Sequence, residues 1–126
     1  MDVITPLKKA KGLGSAKDGV SHWWGQRVSA IALIFLTSWL VYAAYALLPM
    51  NYATAIIFLD KPHNALLLIL LISSIFYHGF LGIQVVIEDY IHCPCMKYGL
   101  LIGLKLASIF AVVATAFITI SIYLAR

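Results

Sequence analysis

Three long apolar runs, separated by short polar breaks, set the pattern of this chain. They cover residues 28–48, 65–87 and 106–125, and none contains a charged side chain. Each reaches the roughly 20 residues that a helix needs to cross a hydrocarbon core of about 30 Å. With their flanking polar residues included, the runs predict three transmembrane helices at approximately 22–49, 63–91 and 97–125. The breaks support the same division. Pro49 and Asn51 close the first span, while Asp60, Lys61 and Pro62 make a cap for the second, with proline near its first turn. Pro94 ends the second helix and turns the chain into the third, whose helix is expected to begin near Tyr98. Residues 1–21, with Pro6, Gly12, Gly14, Ser15 and Gly19 among lysines, read as an irregular, solvated, basic segment. The expected fold class is an all-α membrane protein, one domain over residues 1–126.

Two rows of small residues add packing to this picture. Gly99, Gly103, Ala107, Ala111 and Thr115 recur at steps of four on the third span, and Ser74, His78 and Gly82 do so on the second. Such rows let another helix approach closely. Three helices alone make a thin bundle, so a partner subunit is expected to complete it.

Composition narrows the class. The chain is 63% hydrophobic and 11% charged, against about 25% charged in soluble domains. No soluble domain of any size fits. The net charge is +4, and Lys8, Lys9, Lys11, Lys17 and Arg27 all precede the first apolar run. Nucleic-acid binding is excluded, because the basic residues neither interleave with aromatics nor sit on a soluble fold. They mark the inner face instead. The N-terminus and the 89–98 turn, which holds Lys97, are expected inside, leaving only Lys61 and Arg126 outside. Lys105 snorkels to the inner side, and Trp23, Trp24, Tyr90 and Tyr98 form an inner aromatic belt. The first run is too long for a secretory signal and no cleavage pattern follows it. A transit peptide is not expected either, since no arginine precedes Arg27.

Candidate chemistry gathers in residues 73–92, SSIFYHGFLGIQVVIEDYIH. On a helix, His78 and Asp89 stand about 16 Å apart along the axis and point the same way. An ionisable group in mid-span faces a partner helix, a cofactor or a water path. His78 therefore either hydrogen-bonds a neighbouring helix or ligates a haem iron, with Ser74 and Gly82 leaving room for a flat macrocycle. His22, His63 and His92 all lie near the interfaces, so a second axial ligand would come from another subunit. Arg27 is either an interface anchor or a partner for haem propionates or a quinone carbonyl. His22, Gln26 and Ser29 are secondary candidates for the same polar pocket. Tyr90 can donate a hydrogen bond to a quinone headgroup, and Asp89 can orient that phenol or relay protons. Glu88 reads as an ordinary helix end. Cys93 and Cys95 bracket Pro94 within HCPCM, and two thiols do not complete a tetrahedral metal site. They read as reduced thiols in a cytoplasmic turn.

The spacing His78…Asp89-Tyr90, inside a three-span chain of this length, resembles the family of hydrophobic membrane-anchor subunits D of succinate dehydrogenase (respiratory complex II). The segment GVSHWWGQRVSAIAL, residues 19–33, is similar to that family's entry into its first helix, with Arg27 at the basic position. GLGSAKDG, residues 12–19, is similar to its alphaproteobacterial branch. The resemblance implies a non-autonomous subunit of a succinate:quinone oxidoreductase serving electron transport and the tricarboxylic acid cycle. It implies that His78 binds haem b as one axial metal ligand, and that Tyr90 binds ubiquinone with Asp89 beside it. It places Arg27 near a haem propionate or the quinone pocket. The implied partners are a second anchor subunit (C), an iron–sulfur subunit (B) and a flavoprotein subunit (A). The implied location is the bacterial inner membrane, with the mitochondrial inner membrane as the alternative. Two other readings stay open on the residues: a proton-conducting or transporter subunit using His78 and Asp89 as a relay, and a scaffold without cofactor.

The basic-residue bias makes orientation directly testable. In sealed, oriented vesicles, a membrane-impermeant thiol reagent is expected to label Cys93 and Cys95 from the cytoplasmic face alone. Labelling from the opposite face only would reverse the orientation.

Overall fold

The computed structural model describes residues 16–48 and 51–124. The basic segment before residue 16, Pro49 and Arg126 lie outside the described residues. Four helices account for the rest: α1 (Ala16–Ala46), α2 (Tyr52–Leu59), α3 (Pro62–Tyr90) and α4 (Pro94–Leu124). No strand occurs among the described residues. The protein is all-α, and α1, α3 and α4 are each long and apolar enough to cross a membrane. Apolar helices suit lipid because they satisfy their own backbone hydrogen bonds where no water is available.

Helix starts differ from the sequence expectation in two places. α1 already runs through residues 16–21, which had read as irregular. Gly19 costs a helix interior about 1 kcal/mol relative to alanine, and the long apolar helix that follows offsets so small a penalty. α4 begins at Pro94 itself rather than near Tyr98. Proline suits a first helical turn because its missing N–H would have no intrahelical partner there. The break between α3 and α4 is therefore only residues 91–93. Lys97 crosses it, its Nζ donating to the Glu88 carbonyl at 3.1 Å. At the start of α3 the expectation holds, with Lys61 as N-cap and Pro62 in the first turn.

α2 is the element that hydropathy did not foresee. Asn51 accepts from the Thr54 backbone N–H, and Thr54 Oγ1 accepts from the Asn51 N–H, a reciprocal capping box. At its other end, Asn64 Nδ2 donates to the Phe58 carbonyl at 2.9 Å. Asn64 is only 5% exposed, so this bond ties α2 to the first turn of α3 beyond the reach of water. Trp39 of α1 meets Phe58 with ring centroids 6.1 Å apart.

α3 is the middle layer. It packs against both α1 and α4, which make no backbone contact with each other among the described residues. Both pairings are antiparallel. Ser29 and Gln26 of α1 meet His78 and Gly82 of α3 in reverse order, and Thr119 and Tyr123 of α4 share a hollow with Pro62 and Ala65. The core is correspondingly thin: Ala43, Ala65, Leu71, Leu81 and Ile87 are the buried apolar residues. Elsewhere apolar side chains point outward, as with Ile31, Phe35 and Ile34 on α1 and Phe110, Val113 and Phe117 on α4. Exposed stripes of this size suit lipid or a partner helix, not water.

The two small-residue rows part company here. Gly82 faces α1, the Cβ that it lacks falling 3.7 Å from Gln26 Nε2. Gly99 and Gly103 have nothing within 4 Å of theirs. The Gly99–Gly103 end of the α4 row is open.

Replacing Asn64 with alanine removes the donor to the Phe58 carbonyl from a buried position. A hydrogen bond of this kind contributes about 0.5–1.5 kcal/mol, and an orphaned carbonyl adds to the loss. Hydrogen exchange in α2 is therefore expected to accelerate roughly tenfold in Asn64→Ala, with the three long helices unchanged.

Candidate functional site

The α1–α3 crossing holds the mid-membrane polar pair. Gly25 sits against the tips of two α3 side chains. A Cβ there would fall 2.7 Å from the Tyr77 hydroxyl and 3.3 Å from Leu81 Cδ1. The missing atom leaves room for those two side chains. One turn further along α1, Ser29 meets His78. Its Oγ stands 2.9 Å from His78 Nδ1 and also donates to the Gln26 carbonyl at 3.1 Å. Ser29 is 6% exposed, so water does not compete for either bond. His78 is half-buried, and its Nε2 has no hydrogen-bond partner among the described residues. The ring is thus held by one nitrogen and open at the other.

His22 lies on the same face of α1, seven residues before Ser29 and nearer the membrane surface. Its Nε2 is buried without a partner. Gln26 stands between them, against Gly82. Of the secondary candidates, His22, Gln26 and Ser29 therefore share the α3-facing side of α1.

Arg27 does not join them. Two residues from Ser29 is about 200° around a helix, and Arg27 is exposed, its guanidinium 5.4 Å from the centre of the Trp23 ring. Trp23 and Trp24 meet edge to face with centroids 5.1 Å apart. This is an aromatic and cationic cluster of the kind found at membrane interfaces.

α3 is unbroken from Pro62 to Tyr90, so His78, Asp89 and Tyr90 belong to one rod. At its end, Glu88 is engaged: its Oε1 accepts from Gln84 Nε2 at 2.8 Å, and its carbonyl accepts from Lys97. Asp89 and Tyr90 are exposed and their side chains make no hydrogen bond among the described residues, Tyr90 being 75% exposed. The chain brings them together with each other but not with Arg27. His63 and His92 are exposed at opposite ends of α3, and Cys93 and Cys95 are free thiols.

Two further observations bear on ligands. No three His, Cys, Asp or Glu side chains converge in a metal-binding group among the described residues. A haem does not need such a group, since its macrocycle supplies four nitrogens and the protein only the axial positions. His78, oriented through Nδ1 with Nε2 open, fits that demand. A groove of about 470 Å³ between α3 and α4 lies elsewhere, walled by Phe76, Tyr77, Phe80 and Val112 with Lys105 and Ser108. None of the expected site residues lines it.

Ser29 is the member that sequence reasoning underrated. It had been grouped with Arg27, whereas the fold assigns it to His78, 49 positions away. A small polar residue four positions from Gly25, in an otherwise apolar run, was the available signal.

Comparison with known proteins agrees with this architecture. The family described as succinate dehydrogenase/fumarate reductase transmembrane subunit matches residues 1–120. The succinate dehydrogenase hydrophobic membrane anchor subunit of Rickettsia bellii is 41% identical over 113 residues, covering 90% of each chain. That of Rickettsia conorii is 39% identical over 116 residues, again covering 90% of each. The corresponding subunit of Paracoccus denitrificans is 33% identical over 90 residues, covering 71% of this chain and 70% of its own. No solved structure matches. These relatives are alphaproteobacterial, as the 12–19 segment suggested, and the chain belongs to the succinate dehydrogenase/fumarate reductase transmembrane subunit family.

Proposed function

We propose that this chain anchors a succinate:quinone oxidoreductase in the bacterial inner membrane, its N-terminus on the cytoplasmic side. With a second anchor subunit it holds the iron–sulfur and flavoprotein subunits at the membrane. His78 would hold haem b through its imidazole together with a residue of a partner, and Asp89 and Tyr90 form part of the site of ubiquinone reduction. The observation that carries this reading is the state of α3. It holds a mid-span histidine with Nδ1 engaged and Nε2 open, and it ends in Asp89 and Tyr90, both exposed and without a side-chain hydrogen bond among the described residues.

Haem bound at His78 would accept and return one electron at a time. The remaining work belongs to side chains. Quinone reduction consumes two electrons and two protons, so its carbonyl oxygens need a donor and a route from the aqueous side. The Tyr90 hydroxyl donates to a carbonyl oxygen, and Asp89 passes protons inward or, in its protonated form, donates to the phenol oxygen and so orients it. Arg27 contributes if a propionate or quinone carbonyl lies along the exposed face of α1, where its planar fork holds an anion through two bonds. The chain alone catalyses nothing, since electrons reach it from the partner subunits. A direct proton relay from Asp89 to His78 is disfavoured by the stripe between them, where Gly82, Val85 and Val86 carry no exchangeable side-chain proton.

Two outcomes are expected in the assembled complex. His78→Leu changes the b-type optical spectrum or the haem midpoint potential, because the iron loses an imidazole that sets both. An unchanged spectrum and potential would remove His78 from the ligand set.

The second outcome separates two activities. Tyr90→Phe lowers quinone reduction about tenfold or more, as a lost hydrogen bond of about 1.4 kcal/mol in the transition state requires. Succinate oxidation with an artificial dye, which takes electrons from the soluble subunits, stays near the parent rate. Asp89→Asn follows Tyr90→Phe, and Glu88→Gln stays near parent because Glu88 is already engaged at the helix end. Parent rates of quinone reduction in both Tyr90→Phe and Asp89→Asn would move the site away from this helix end.

A further inference from the structure

The Ser29–His78 contact does more than satisfy a buried histidine. A serine hydroxyl has one proton to donate and two lone pairs with which to accept. Ser29 Oγ lies within hydrogen-bond distance of both the Gln26 carbonyl and His78 Nδ1. The carbonyl can only accept, so that bond uses the hydroxyl proton. The contact with His78 then requires a proton on Nδ1, donated to Oγ. The opposite arrangement, with the hydroxyl donating to Nδ1, makes one bond where the first makes two. At a site shielded from water, the arrangement with more bonds prevails. A neutral imidazole with its proton on Nδ1 carries its free lone pair on Nε2, the form that ligates a metal.

We propose that Ser29 is the positioning residue for His78, holding its ring as the Nδ1–H tautomer so that Nε2 serves as the ligating nitrogen. The proposal rests on the reading of His78 as an axial haem ligand. The geometry around the pair suits the role. The bond to Gln26 pins the Ser29 rotamer on its own helix, so the acceptor does not drift. The helices cross near Gly25, whose absent Cβ leaves room for the Tyr77 hydroxyl and Leu81 Cδ1, and there a side chain as short as serine reaches across. A partner on the non-ligating nitrogen orients the ring and makes the imidazole a stronger electron donor. Stronger donation favours the ferric over the ferrous iron. Ser29 therefore holds the haem midpoint potential below the value that an unassisted imidazole would give.

The test is a redox titration of the b-type haem in the assembled, membrane-extracted complex, with its low-spin electron paramagnetic resonance spectrum recorded alongside. Ser29→Ala removes the acceptor. It is expected to raise the midpoint potential by about 59 mV, the equivalent of a tenfold change in relative ferric and ferrous affinity for a one-electron couple. Ser29→Cys keeps the volume but offers only a weak acceptor, and it should shift the potential the same way. It also carries the test if the alanine variant fails to assemble. Ser29→Thr retains the hydroxyl and should stay near the parent potential. Parent potentials in both Ser29→Ala and Ser29→Cys, alongside an altered spectrum in His78→Leu, would overturn the positioning role and leave His78 as a ligand. A threonine variant shifted as far as alanine would also overturn it, because packing rather than the hydroxyl would then govern. If His78→Leu leaves spectrum and potential untouched, the ligand reading fails and the Ser29 proposal falls with it.

Discussion

An imidazole in hydrocarbon needs a polar partner, and His78 finds one on the neighbouring helix, 2.9 Å away at Ser29. Much of the chain's geometry follows from making that distance possible. Serine is short, so α1 and α3 must cross closely, and glycine at 25 leaves room there for the tips of Tyr77 and Leu81. Closing at that level aligns the α3-facing side of α1, with His22, Gln26 and Ser29 in sequence along it. Arg27 is consequently carried to the other side, onto Trp23. One polar contact thus decides which residues of the first span face inward.

Around that crossing the protein is sparing with internal packing. α3 is buttressed by α1 on one side and by α4 on another, and only a short list of residues, Leu71 at 2% exposure among them, is withdrawn from the surroundings. In water such a molecule would not hold together, because its outward stripes of Ile, Phe and Val would drive aggregation. In lipid those stripes cost nothing, and association rests on close backbone approach and van der Waals contact. The open Gly99–Gly103 end of α4 and the outward face of α1 are where a membrane-anchor subunit has surface left for other helices.

How much of this was legible in the order of residues depended on the range of the physics involved. Span number and placement were, because bilayer thickness imposes a length that uninterrupted apolar runs either meet or miss. So was the presence of His78, Asp89 and Tyr90 on one helix, since nothing between them breaks it. Pro62 at a helix start followed from its missing N–H, though Pro94 proved to open α4 at once rather than several residues before it. The eight-residue α2 was not legible. It depends on a capping box at Asn51 and on Asn64 reaching back to the Phe58 carbonyl, bonds that hydropathy averages over. Nor was the assignment of Ser29, or the open Gly99–Gly103 end of the α4 row. Hydropathy and helical period are local and say which residues share a face. Which faces meet is set by steric fit between segments dozens of residues apart, here by a missing Cβ at Gly25 against Tyr77 and Leu81 and a hydroxyl at Ser29 against His78, and that fit exists only once the helices are packed.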